Sequence, residues 1–231
     1  MVASTGSRRN HGIEDSVPAT VIWLVRHGET DWNASMRVQG STDIPLNATG
    51  RRQAERVADR LVHAGVSAIY CSPLTRTAET AEPLARALRM GIQVEPTIAE
   101  RRYGVFQGLT PDEIALRYPE AYARWQARDT AFAPRGGESM QDFRQRVRDG
   151  FAGLAASHPG ETVAVFSHGG VADMVYRLAH AIDLSQQRKW PVPNAGIHHL
   201  RICQDDILVL TWGLVDHLQA THTHDESQRF A

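Results

Sequence analysis

The chain has 231 residues, of which 42% are hydrophobic and 22% charged, so it can build one α/β domain with a sizeable core. A net charge of -1 gives no bulk field for nucleic acid or an anionic membrane, and any positive potential must be local. Two cysteines, Cys71 and Cys203, do not suggest a disulfide framework, and a reducing cytoplasm is the expectation.

Residues 1–20 are rich in small and polar residues and lack an apolar segment of the secretory kind, so they read as a flexible tail. Residues 21–25 form a short β-branched and aromatic run, predicted as a strand and far too short to span a membrane. A helix is predicted after Asn47, with Ala54, Val57, Ala58 and Leu61 on one face. A strand at 67–71 follows. Ser72 then reads as an N-cap, with Pro73 at the first position of a helix reaching about residue 90. A short strand at 92–94 leads to an irregular segment near Glu100, and residues 110–113 open a helical region reaching about 129. Ser139 with Asp142 resembles a capping box ahead of Phe143, Val147, Phe151 and Leu154 at helical spacing. A strand at 162–167, a helix from 170 to about 182 and a strand pair at 196–202 and 207–212 complete the order.

This alternation predicts an α/β, three-layer sandwich: a mostly parallel central sheet flanked by helices, with an antiparallel strand at the C-terminal end. A single domain is expected over 21–215, followed by a polar tail at 216–231 in which His222 and His224 read as solvated.

Two of the predicted strands end in the same way. The first runs into Arg26-His27-Gly28, and the one at 162–167 runs into His168-Gly169-Gly170. Ligands of an open α/β sheet bind beyond the carboxyl ends of its strands. If both strands are parallel, two imidazoles and an arginine meet over one crevice. The strand at 67–71 points to the same place and brings Arg76 near the start of the next helix, where free N–H groups already favour an anion. Such a cluster suits a phosphate or carboxylate and nucleophilic histidine chemistry. Cys71, at a strand end, reads as a small core residue.

These residues carry a resemblance. Leu24-Val25-Arg26-His27-Gly28-Glu29-Thr30 with Trp32-Asn33 resembles the signature of the histidine phosphatase superfamily, which includes cofactor-dependent phosphoglycerate mutases and many phosphatases. The likeness continues in order through Gln39-Gly40, Asp43-Ile44-Pro45-Leu46-Asn47, Gly50-Arg51-Arg52-Gln53-Ala54 and the segment from Cys71 to Ala81. It resumes at Glu100-Arg101-Arg102-Tyr103-Gly104, Gln107-Gly108, Gly136-Gly137-Glu138-Ser139 and Ser167-His168-Gly169.

The resemblance implies roles. His27 would be the nucleophile, its second ring nitrogen held by an acceptor that the sequence does not identify. Arg26 and Arg76 would clamp the phosphoryl oxygens. His168 would donate to another oxygen, helped by the N–H groups of Gly169 and Gly170. Glu100 matches the family's proton donor, with Glu29 and Glu138 as weaker candidates. Asn33, Gln39 and Gly40 match positions lining the phosphate pocket. Tyr103 either contacts substrate or packs, and Arg51 and Arg52 read as a solvated helix face. No metal or organic cofactor is expected, since the chain lacks phosphate-loop and dinucleotide fingerprints and clustered Cys/His ligands.

Three functions fit. The first is a phosphomonoesterase acting on a small phosphorylated metabolite, with no nucleic-acid or membrane partner and a homodimer as an open possibility. The second is a phosphoglycerate mutase. The third is an inactive phospholigand-binding protein. The short segment from Trp125 through Arg128 to Gly137 favours the phosphatase, because mutases of this family carry a longer basic insertion there with paired arginines for the substrate carboxylate.

Overall fold

Six segments become strands: β1 (Thr20–Arg26), β2 (Ala68–Cys71), β3 (Ile92–Val94), β4 (Thr162–Ser167), β5 (Ile197–Cys203) and β6 (Asp206–Leu214). They pair in one sheet in the order β3-β2-β4-β1-β5-β6. The pairs β3-β2, β2-β4 and β4-β1 are parallel. β5 runs antiparallel to both β1 and β6, so β5 alone opposes the rest. The computed structural model describes residues 18–204 and 206–219, so most of both predicted tails, with His222 and His224, lies outside the described residues.

The helices are α1 (Asp31–Ala34), α2 (Ala48–Leu61), α3 (Thr75–Leu88), α4 (Pro111–Arg117), α5 (Pro119–Gln126), α6 (Met140–Ser157) and α7 (Gly169–Ala179). Side chains alternate across the sheet with a period of two. In β4, Val163 and Val165 face the layer of α6 and α7, where they meet Phe143, Val147, Phe151 and Val171. Ala164 and Phe166 face the layer of α2 and α3, where they meet Val57, Leu61, Ala81 and Leu84. Each large apolar side chain so buried contributes about 1.5–3 kcal/mol, and these two cores hold the three layers together. A third, smaller core of Val38, Phe106, Ile114 and Phe132 sits apart, under α4 and α5.

Several predicted boundaries move for local reasons. Thr20 belongs to β1 instead of the tail, and its buried hydroxyl donates to the carbonyls of Ala155 and His158. At the other end Asp216–Leu218 make a 3-10 turn that buries Leu218 in the α2 and α3 layer, so the polar tail does not begin at 216. The helical region from 110 splits at Tyr118 (φ -137°, ψ 57°), because Pro119 disfavours helical geometry in the residue before it.

The helix after β2 starts at Thr75, two residues later than Pro73, and Ser72 does not cap it. Asp43 takes that place from a distant loop: its two carboxylate oxygens accept from the backbone N–H and the hydroxyl of Thr75 at 2.8 and 2.6 Å. The loop after β1 lies directly on the N-terminus of α2. A Cβ on Gly28 would stand 2.6 Å from the Gly50 carbonyl oxygen, and one on Gly50 would stand 2.1 Å from that of Glu29, so both positions need glycine.

Candidate active site

Register brings the site together. Arg26 of β1 pairs with Ser167 of β4, and Cys71 of β2 pairs with Phe166. The residues one step beyond, His27, His168 and Ser72, therefore emerge side by side at the carboxyl edge of the sheet. The rings of His27 and His168 lie edge to face with centroids 5.3 Å apart.

His27 Nδ1 lies 2.7 Å from the Gly28 carbonyl oxygen, which can only accept, so the proton sits on Nδ1 and Nε2 keeps its lone pair. This carbonyl is the acceptor that the sequence leaves unnamed. The ring is 3% exposed. Burial holds its pKa well below the ordinary value, and the charges of Arg76 and Arg26 add to the effect. A neutral imidazole with a free nitrogen is a nucleophile at physiological pH. The loop around it is fixed by Thr80, whose hydroxyl accepts from Gly28 N–H, and by Asn194, whose amide donates to the carbonyls of His27 and Gly28.

Both arginines are held by backbone. Arg26 donates to the Val192 carbonyl. Arg76 is fully buried and donates to the carbonyls of Gly40 and Thr42 at 2.7 and 2.9 Å. Burial lowers its pKa to about 10, which leaves it charged at neutral pH. Among the described residues its hydrogen bonds go to backbone carbonyls, with Glu100 and Asp43 acting on it only through their charge, so it can still take an incoming anion.

His168 is fully buried and stands behind the pocket wall. Its Nε2 is 2.7 Å from Ser72 Oγ, which in turn is 2.9 Å from Thr77 Oγ1. Ser72 is thus a support for His168, and its Oγ also accepts from Leu74 N–H at 3.3 Å, just ahead of α3. Burial, then Arg76, lowers the His168 pKa well below the ordinary value.

Glu100 lines the same pocket. Its Oε1 accepts from Arg101 N–H at 2.8 Å and its Oε2 from Gly170 N–H at 2.9 Å. The Gly170 amide therefore serves Glu100, whereas the sequence reading places it on the phosphate. Asn33, Gln39, Gly40, Tyr103 and Gly169 all border the pocket. The Asn33 side-chain oxygen is largely committed, accepting from Thr30 and from Asn194. Tyr103 stays protonated, its pKa pushed up to about 12 by burial.

The weaker candidates belong to the scaffold. Glu138 makes a two-point ion pair with Arg146 at 2.9 and 3.0 Å, and Arg146 also donates to the carbonyls of Thr97 and Ala99 and so fixes the approach to Glu100. Glu29 accepts from Asn47 at the start of α2. Arg51 and Arg52 are exposed, and Cys71 is buried in the core.

Sequence reasoning missed part of the rim. Arg37, Arg128, Arg188, Trp125, Asp173 and Met174 also line the pocket. Of the two arginines in the segment after Trp125, Arg128 borders the cavity together with Arg188 from a loop before β5, and Arg135 is not among the lining residues. Arg128 is held by donation to the Leu184 carbonyl. Trp125 and Arg128 stand in the segment that the sequence singles out, and Asp173 lies four residues after Gly169 and so shares its helix face. Among the described residues no group of three His, Cys, Asp or Glu side chains is placed to hold a metal, and no helix is long and apolar enough to cross a membrane.

Comparisons with known proteins converge on one family. A model of the histidine phosphatase superfamily, branch 1, matches residues 22–215. The chain is 34% identical over 211 residues to phosphoglycerate mutase-like protein 4 of Arabidopsis thaliana, covering 90% of each protein. It is 35% identical over 205 residues to the metal-independent phosphoserine phosphatase of the same plant, covering 87% of this chain and 84% of that one. Its fold matches Bacillus stearothermophilus YhfR with a TM-score of 0.80 at 31% identity, covering 87% of this chain and 100% of the other.

Proposed function

The chain belongs to the histidine phosphatase superfamily, branch 1, and is a phosphatase; from that premise we propose that it hydrolyses a small phosphomonoester through a phosphohistidine on His27. The observation that carries this reading is the Nδ1 contact to the Gly28 carbonyl, which leaves Nε2 as the unprotonated nitrogen beside two arginines.

In the first step the Nε2 lone pair attacks phosphorus while the ester P–O bond breaks. Arg26 and Arg76 bind the non-bridging oxygens and stabilise the charge of the transferring group. Glu100 gives its proton to the leaving alcohol oxygen. In the second step Glu100, now a carboxylate, takes a proton from water. The water oxygen bonds to phosphorus, the N–P bond breaks and phosphate leaves. His168, held by Ser72, packs edge to face against His27 and steadies the ring of the nucleophile. Every step uses side chains of this chain, so activity survives chelators, in keeping with the metal-independent relative.

A mutase reading has one observation in its favour: Arg128 and Arg188 border the pocket and suit a substrate carboxylate. One experiment separates the two. The purified protein is offered a panel of phosphorylated metabolites, phosphoserine included, and read for free phosphate. It is read separately for conversion of 3-phosphoglycerate to 2-phosphoglycerate. Hydrolysis is expected to dominate, with an acid-labile, base-stable phosphoenzyme that disappears in His27→Ala. Fast interconversion without phosphate release reverses the choice, and labelling that persists in His27→Ala removes the nucleophile assignment.

A further inference from the structure

The N-terminus of α7 holds the proton donor. Helix N-termini leave several N–H groups without intrahelical partners, and an anion is the usual occupant. Here the Gly170 N–H donates to Glu100 Oε2 at 2.9 Å, across seventy residues of sequence. The Arg101 N–H takes the other oxygen at 2.8 Å. Each carboxylate oxygen has about two lone-pair sites, so each keeps one for the proton it exchanges with substrate.

Gly170 matters in a second way. A Cβ at this position would stand 2.2 Å from Glu100 Oε1, 3.1 Å from Cδ and 3.2 Å from Oε2. The Cβ is fixed by the helix backbone, while the carboxyl group is the far end of a flexible side chain. Any side chain at 170 therefore displaces the carboxyl by on the order of 1 Å, a misplacement that can cost about a hundredfold in rate. Gly169, one residue earlier, is different. The three atoms nearest its Cβ would all belong to Arg26, with Nε at 3.3 Å.

We propose that Gly170 is a positioning residue for the leaving-group half of the reaction: its N–H anchors Glu100, and its missing side chain makes room for that carboxyl. The proposal rests on the reading of Glu100 as proton donor. Two neighbouring glycines thereby serve opposite halves of the chemistry, Gly169 beside the arginine on the phosphate and Gly170 beside the acid on the departing alcohol.

The test compares Gly170→Ala, Gly169→Ala, Glu100→Gln and the double variant Gly170→Ala/Glu100→Gln on glycerol phosphate and on p-nitrophenyl phosphate. Nitrophenolate leaves without a proton, whereas an alkoxide needs one. Gly170→Ala is expected to lose about 30- to 100-fold in kcat on the alkyl ester and less than about fivefold on the aryl ester. The thermal midpoint falls only slightly, because the group that must move is the far end of a flexible side chain. Inhibition by inorganic phosphate is unchanged. Gly169→Ala weakens both esters alike. The double variant is no slower than Glu100→Gln, because both act through one group. Equal losses on the two esters in Gly170→Ala, or none, overturn the proposal while Glu100→Gln still discriminates between them. If Glu100→Gln itself fails to discriminate, the proton-donor assignment falls first and takes the proposal with it.

Discussion

The two ends of the pocket are built differently. At the phosphate end, Arg26, His27, Arg76 and His168 stand on strand ends or the first turn of a helix, all buried, each held by backbone carbonyls or buried hydroxyls. At the rim, Tyr103, Trp125 and Arg128 come from loops and short helices over a separate small core. The phosphate end is anchored by the sheet, so its geometry is shared by every substrate. The rim is anchored by four buried apolar residues, so it can differ without disturbing the chemistry. Reaction type belongs to the first region and substrate choice to the second.

The largest effect should come from Arg76→Ala. Removing one preorganised donor to a developing charge costs about 10²–10³ in rate, and here the loss should fall equally on alkyl and aryl esters. Measured kcat/KM values that separate the two esters would break the division between the ends.

Phe106→Ala comes next. It opens a cavity in the rim core, where Phe106 touches Tyr118, Trp125 and Phe132, and a buried phenylalanine lost to alanine costs about 3–5 kcal/mol. The substrate ranking should change while inhibition by inorganic phosphate stays within a few-fold. A collapse of phosphate affinity would show that the two ends are one unit.

The buried histidines make stability depend on pH. His27 and His168 are held neutral well below the ordinary value, and burial lowers His198 to about 3. Below about pH 6.5 the unfolded chain binds protons that the native state does not. Stability is therefore full above 6.5 and falls as pH drops towards the native values. Between about pH 7 and 5 a histidine like His198 should cost roughly 2 kcal/mol, read as a falling urea midpoint. Replacing His198 by an uncharged residue of similar shape should flatten part of that slope.

The smallest effect sharpens the rim. Arg128→Ala should raise KM about fivefold for esters with a second negative charge, and less than about twofold for p-nitrophenyl phosphate, the scale of one exposed-to-half-buried ionic contact. An equal change for both would place Arg128 with the scaffold.

Most of the architecture was legible in the sequence. Strong period-two and helical patterns, such as the run at 162–167 and the apolar face of α6, depend on local side-chain order and survive in the fold. The errors have local competitors. Ser72 looked like an N-cap because its neighbours fit one, but a buried imidazole 96 residues away claims its hydroxyl. The N–H of Gly170 looked free for phosphate, but Glu100 occupies it. Arg188 and Asn194 were invisible because neither stands in a periodic pattern or beside another site residue in sequence.

The sequence by itself determined the strands, the arginines and the histidines, because hydrophobic period and turn residues act over a few positions. It determined that His27, His168 and Arg76 follow strand ends, and hence that they could converge. Only the tertiary structure decided which hydrogen bonds those groups make. The Ser72 support of His168 and the α7 amide on Glu100 depend on strand register, a choice made by the whole sheet, and the Gly28 carbonyl that sets the His27 tautomer, though next in sequence, is held in place by Thr80 and Asn194 from distant segments. The physical reason is range: packing order is written in neighbouring residues, whereas a hydrogen bond of about 3 Å between segments seventy or more residues apart exists only once every layer between them is in place.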